Sequence, residues 1–215
     1  MTVKRLSEEV RSVAVNFDAL GSELLQTADL MDLTARYNLQ GKMLSLDRVA
    51  EASTVKLRSL AARMMEEDPG PVYEEAARML GIRVEEEKCW VKIVVPAILP
   101  KKSVWENHTF LMRPLRHALL DFERRTPMER FGRCAVCIVH TYDAALGEAR
   151  VRDYDNIETK KYLDVIESFF LTNDSGNACT VLQTTAMADR DETDFYIMLP
   201  SSLPGWVEQY VCAVR

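Results

Sequence analysis

The chain has 215 residues, 47% apolar and 28% charged, which is the balance of a globular protein with room for one sizeable domain or two small ones. A net charge of −6 and a pI near 5.2 argue against a protein that coats nucleic acid by bulk electrostatics, and no apolar run reaches the roughly 18 to 20 residues of a membrane span. Residues Met1 to Glu9 turn acidic before a signal-peptide core could form, so the expected location is cytoplasmic.

Residues 1–31 are expected to be helical. Val10, Val13, Phe17, Leu20, Leu24 and Met31 follow an a/d seam with a gap at Thr27, and Ser7, Glu8 and Glu9 supply a cap and an acidic first turn. Asn38 to Gly41 reads as a break. A second helix follows Ser45, with Leu46, Val49, Ser53, Leu57, Leu60 and Met64 on one face, until Asp68-Pro69-Gly70-Pro71 stops it. A short third helix, Pro71 to Leu80, has proline at its start and Gly81 past its end. Residues 1–85 therefore read as a helical hairpin plus a short helix. The narrow stripes across residues 7–65 suit a coiled-coil contact with a partner or a second copy, or a layer packed on the domain that follows.

The texture changes at Lys88. Residues 89–96 form a β-branched run ended by Pro96, and 97–109 look like a loop. Leu111, Leu115, Ala118, Leu119 and Phe122 give helical spacing from Phe110 to Arg125. Residues 133–142 are a second strand, 143–150 a loop around Gly147, and 156–171 a helix with Ile157, Val165, Ile166, Phe169 and Phe170 as core. Strands at 178–187 and 194–199 follow across a polar turn, and the tail 200–215 is expected to hold a short helix anchored by Trp206. The predicted class is α+β: a helical region 1–85, then a β-α-β-α-β-β domain over 89–199 with a small mixed sheet and helices on one face.

Five cysteines without regular spacing do not suggest a disulfide framework. Cys134 and Cys137 make a Cys-x-x-Cys inside a strand, where positions i and i+3 point to opposite faces and cannot share a metal. His117 and His140, on a helix and a strand, read as structural. Residues 100–133 carry eight basic side chains against four acidic ones, so a local basic surface can stand beside an acidic centre. Arg113, Arg116, Arg124 and Arg125 there are candidates for phosphate-backbone contacts, with Arg150, Arg152 and Asn156 nearer the centre; the alternative for the helix is a solvated face paired with Asp121 and Glu123.

That centre is Arg152-Asp153-Tyr154-Asp155-Asn156. In an extended or turn segment residues i and i+2 project alike, so Asp153 and Asp155 can face one Mg²⁺, a hard cation satisfied by a few carboxylates and its own waters. A helix beginning at Asn156 would steady a substrate phosphate at its N-terminus. The other reading makes Asp155 the cap of that helix, Asp153 a turn residue and Asn173-Asp174-Ser175-Gly176 a polar turn.

The element order, the Asp153-x-Asp155-Asn156 motif, the helix behind it and a further aspartate nineteen residues on, Asp174, together resemble the RusA family of Holliday junction resolvases over residues 89–199. The resemblance implies an endonuclease dependent on Mg²⁺ (or Mn²⁺), acting as a homodimer on branched DNA, with Asp153, Asp155 and Asp174 as catalytic, metal-binding carboxylates. The family's lysine four residues after the second aspartate is Thr159 here, with Lys160 and Lys161 following as stand-ins to neutralise developing charge. Its frequent Asp-Asp is Asn173-Asp174, and residues 1–85 have no counterpart in its short members. A helix of 16 residues would span about 24 Å, which points to a composite site where Asp174 of a second copy meets Asp155. The competing expectation is a RusA-like fold kept as a non-cleaving DNA- or protein-binding module, its N-terminal helices mediating assembly.

Overall fold

A computed structural model of the chain describes residues 3–31, 37–64, 70–102, 109–172 and 176–212. The chain divides into two compact units, Met1–Tyr73 and Glu74–Arg215. It is a mixed α+β protein with a five-stranded mixed sheet.

In the first unit α1 (Val3–Met31) packs against α2 (Tyr37–Met64). The single seam expected on α1 is split. Val13 is buried and Leu20 half-buried, while Val10, Phe17 and Leu24 are exposed. The supposed gap at Thr27 is only 1% exposed, because its hydroxyl donates to the Glu23 carbonyl at 2.7 Å and needs no other partner. The expected break at Asn38 to Gly41 does not occur: α2 runs through it. A helical glycine costs about 1 kcal/mol against alanine, which burial of Leu46, Ser53 and Leu60 outweighs. Val49, Leu57 and Met64, placed with them on one face by the sequence, are exposed.

The short helix α3 (Gly70–Leu80) ends as its sequence requires. Gly81 takes φ +74°, its N–H donates to the Arg78 carbonyl, and the Ile82 N–H donates to the Ala77 carbonyl. The next strand escapes sequence reading. β1 (Arg83–Glu86) carries three charges in four residues because it is a solvated edge, antiparallel to β2 (Val91–Val95). The expected boundary near residue 85 therefore falls inside the second unit.

The sheet continues with α4 (Thr109–Arg125), β3 (Cys134–Asp143), α5 (Lys160–Phe170), β4 (Cys179–Ala188) and β5 (Glu192–Met198), in the strand order β1-β2-β5-β3-β4. β5 is antiparallel to both β2 and β3, and β3 is parallel to β4. β2, β3 and β4 thus share one direction. The helix expected over 156–171 begins four residues late. The Lys101–Ile157 bridge, with hydrogen bonds from the Lys102 N–H to the Asn156 carbonyl and from the Glu158 N–H to the Pro100 carbonyl, holds 156–158 extended. Strand β5 also starts at Glu192, inside the expected turn.

Burial explains the layering. Val91, Ile93, Val95, Cys134, Val136, Ile138, Phe195 and Ile197 on one face pack with Leu115, Leu119 and Phe122 of α4 and Tyr162, Ile166 and Phe170 of α5. Helices on one face alone would leave Ala135, Cys137, Val139, Tyr196 and Met198 wet. The residues read as a tail cover them: α6 (Leu203–Val207) and the π-helical turn Glu208–Cys212 bring Trp206 (0% exposed) and Tyr210 onto this second face. Cys134 and Cys137 lie in the two separate cores, as strand alternation requires, and burial pushes both thiols up to about 12. The second face also holds Lys92 paired with Asp194 at 3.0 Å, and Tyr196 donates to the same carboxylate. Burial raises the Asp194 carboxyl above its ordinary range, against the pull of Lys92.

Trp206→Ala should cost about 3–5 kcal/mol, the usual effect of emptying a buried tryptophan site, read as a lower urea midpoint. A loss below about 1 kcal/mol would mean that the C-terminal helix is not part of this core.

Candidate functional site

Three parallel strands place the segments that follow them at one end of the sheet. These are Leu99 to Lys102 after β2, residues 144–157 after β3, and Asp189 to Asp191 after β4. The carboxyl ends of parallel strands are where open α/β sheets bind ligands, and the acidic motif lies in the middle segment.

That segment is held from within the fold. Past β3 it makes two single 3₁₀ turns, Ala144–Leu146 and Glu148–Arg150, separated by Gly147 at φ +85°; the Asp143 side chain accepts from the Ala145 N–H at 2.9 Å. Arg150 forms a two-pronged pair with Asp191, whose Oδ1 also accepts from the Asp143 N–H at 2.9 Å. The Arg152 guanidinium donates to the Leu99 carbonyl at 2.6 Å, and its backbone N–H donates to the Tyr142 hydroxyl at 3.2 Å. The Tyr154 hydroxyl lies 3.0 Å from Thr185 Oγ1, and its ring sits 5.9 Å from that of His140. Ile157 is fully buried. Between these anchors Asp153, Asp155 and Asn156 are exposed, around the 3₁₀ turn Tyr154–Asn156.

Neither local reading of the motif survives unchanged. Asp155 does not cap α5, since Thr159 occupies that position and makes no side-chain cap bond, so Asn156 cannot present an α5 N-terminus to a phosphate. Asp153 precedes the 3₁₀ turn, also without a side-chain cap bond. Two exposed carboxylates on one anchored loop fit a hydrated Mg²⁺, which takes one or two protein carboxylates and keeps its waters. Among the described residues no group of three or more His, Cys, Asp or Glu side chains converges on a metal position. Asn173 and Asp174 lie outside the described residues, and so do Trp105 and His108. The helix before Asp174 has 11 residues and spans about 16 Å rather than 24 Å.

The cationic candidates are mostly engaged. Lys160 pairs with Asp164 at 2.9 Å and Lys161 with Glu158 at 3.8 Å, both on the exposed side of α5. Thr159, where the RusA pattern has lysine, is buried. On α4, Arg124 pairs with Glu74 and Arg125 with Asp121, while Arg113 and Arg116 are exposed. Arg150 and Arg152 hold the loop rather than project from it. A separate cavity of about 560 Å³ between α3, β1 and α4 contains Arg78, Arg83 and Arg125 beside Glu74, Glu85 and Asp121, with no residue of the acidic motif.

Asp191 and His140 were not legible as site residues. Burial pushes the Asp191 carboxyl up. The Arg150 hydrogen bonds, the Asp143 N–H and the charges of Arg150 and Arg152 outweigh this and leave it below the usual range. His140 is fully buried with Nε2 3.1 Å from Gln183 Oε1; burial lowers its pKa, Gln183 opposes this, and Arg152 adds to it. The only sequence signal for either was a polar residue beside the motif's arginines or inside an apolar strand.

A family model, described as a family of unknown function, DUF6100, matches residues 2–213, and the chain belongs to that family. No curated protein matches it.

Because the folded pKa of His140 lies below its ordinary 6.5, the neutral ring stabilises the fold above that value. Stability falls as pH drops below 6.5 toward the folded pKa. Urea midpoints across this range should decline for the wild type and flatten in His140→Gln; equal slopes would refute the assignment.

Proposed function

We propose that this DUF6100-family chain is a RusA-like, structure-specific DNA endonuclease that cleaves phosphodiesters of branched DNA with Mg²⁺ (or Mn²⁺), working as a homodimer. The reading is carried by one observation: Asp153, Asp155 and Asn156 stand exposed on a loop that Arg150, Arg152, Tyr154 and Ile157 anchor at the carboxyl end of three parallel strands. A rigid support beneath and free carboxylates above is what pre-organised catalysis requires. The element order and the spacing to Asp174 add the RusA resemblance.

Asp153 and Asp155, joined by Asp174, would hold the ion. The bound metal supplies Lewis-acid polarisation of the phosphodiester and an acidified water. Arg150 and Arg152 contribute by position: with their guanidiniums tied to Asp191 and the Leu99 carbonyl, they fix the height of the loop over the sheet. Lys160 and Lys161 can reach a phosphate on leaving their surface pairs, which cost little to open. Arg113, Arg116, Arg124 and Arg125 line one helix as backbone contacts, and Asn156 sits beside the carboxylates. A composite site with Asp174 of a second copy belongs to this reading.

The second reading is a RusA-like module that binds DNA or protein without cutting. The engagement of Lys160, Lys161, Arg124, Arg125, Arg150 and Arg152 with other groups, and the buried Thr159, favour it.

A four-way DNA junction incubated with the full chain separates the two. The nuclease reading expects cleavage with Mg²⁺ or Mn²⁺ and none with chelator. Asp155→Asn should lose activity by on the order of 100-fold or more with unchanged thermal stability and junction binding. Junction binding without metal-dependent cleavage leaves the second reading; absence of both sinks the DNA assignment.

A further inference from the structure

The two long helices of the first unit each carry two adjacent, mostly apolar heptad columns and bury only one. On α1 the column Val13, Leu20, Thr27 is turned inward, while Val10, Phe17 and Leu24 are 45%, 37% and 40% exposed. On α2 the column Leu46, Ser53, Leu60 is buried, while Met43, Leu57 and Met64 are 40%, 48% and 60% exposed.

On both helices the exposed column lies three residues ahead of the buried one, a turn of about 60° at 3.6 residues per turn. Residues 32–36 link α1 to α2 and reach at most about 20 Å, under half the roughly 43 Å of a 29-residue helix. For the helices to pack together, α2 must therefore run back antiparallel to α1. Equal turns of the same hand on antiparallel helices carry both exposed columns to the same side of the pair. The columns thus form one continuous apolar face.

We propose that a second copy of this chain covers that face, closing two helix pairs into a four-helix bundle. The size fits. A face about 43 Å long and two helices, or about 20 Å, wide offers roughly 800 Å², with the apolar columns over its central part, and a stable interface takes about 800 Å² from each partner. A two-fold pairing of one such face with itself closes on itself and covers both exposed columns of each copy.

Gly21 leaves room on this side of α1 for a close approach. It sits mid-helix, at a cost of about 1 kcal/mol against alanine, yet a Cβ there meets nothing within 4 Å in the chain's own fold. Ala14, Gly21 and Ala28 form an exposed column about 40° from Val10, Phe17 and Leu24. A second helix pair seated against them makes use of the missing side chain. Thr54, on the corresponding side of α2, has its hydroxyl satisfied by the Ala50 carbonyl at 2.8 Å and asks for no polar partner.

This inference does not depend on the nuclease reading, and its readout is mass rather than cleavage. Light scattering of the full chain over the micromolar range should give twice the chain's 24.5 kDa. Leu24→Gln and Gly21→Gln should each halve that mass. A Cβ at position 21 meets no atom of its own chain within 4 Å and glutamine improves helix propensity, so loss of helicity should not explain the effect of Gly21→Gln; circular dichroism checks this. Val15→Gln, on the far side of α1, should stay dimeric. A monomeric wild type, or a dimer that both face substitutions leave intact, overturns the proposal.

Discussion

β3 and β5 are buried on both faces over nearly their whole length, each with an unbroken apolar run, 134–139 and 195–198, and the rest of the second unit follows from that. A strand with one wet face alternates polar and apolar residues; these two do not, so the sheet needs a cover on each side. Helices α4 and α5 supply one cover and the chain's last turns the other. The second cover differs in chemistry. Trp90, Tyr196, Trp206 and Tyr210 pack ring against ring, with centroids 4.8 to 6.3 Å apart, around the Lys92–Asp194 pair. Removing one member of an ion pair under such a cover strands the other.

The same sheet sets what can happen at its rim. With β2, β3 and β4 running one way, three loops meet at one end, and each helps to hold the others: Arg152 reaches the loop after β2, and Arg150 reaches Asp191 after β4. The acidic motif is thus a loop with two sides. Its arginines and isoleucine face the fold, Tyr154 lies across the rim against Thr185, and its aspartates face solvent. Two of the basic residues beside it, Arg150 and Arg152, are fasteners of the loop from which the aspartates project.

Much of the fold was legible. Pro71 and Gly81 bounding α3, the apolar runs of β2 and β3, and Trp206 as an anchor all rest on local chemistry, and each of these elements is where its residues put it to within a few positions; the expected stop at Asp68-Pro69 lies outside the described residues. What failed shares one cause. Strand β1 is charged because it is an edge, and its pairing with β2 could not be read from Arg83-Val84-Glu85-Glu86 alone. The start of α5 was misplaced because residues 156–158 answer to Pro100, Lys101 and Lys102, more than fifty positions earlier.

The sequence by itself determined the periods, that is, which stretches turn every 3.6 residues and which are extended, because those preferences are set by neighbouring backbone and side-chain sterics. It also placed Asp153 and Asp155 two apart on a connecting segment. Tertiary structure decided which of two equivalent heptad columns on α1 and α2 is buried, which face of the sheet the C-terminal residues cover, and that Arg150 and Arg152 bind the protein's own carboxylate and carbonyl. Those choices depend on partners distant in the chain, and nothing within a helical turn or a strand pair encodes them.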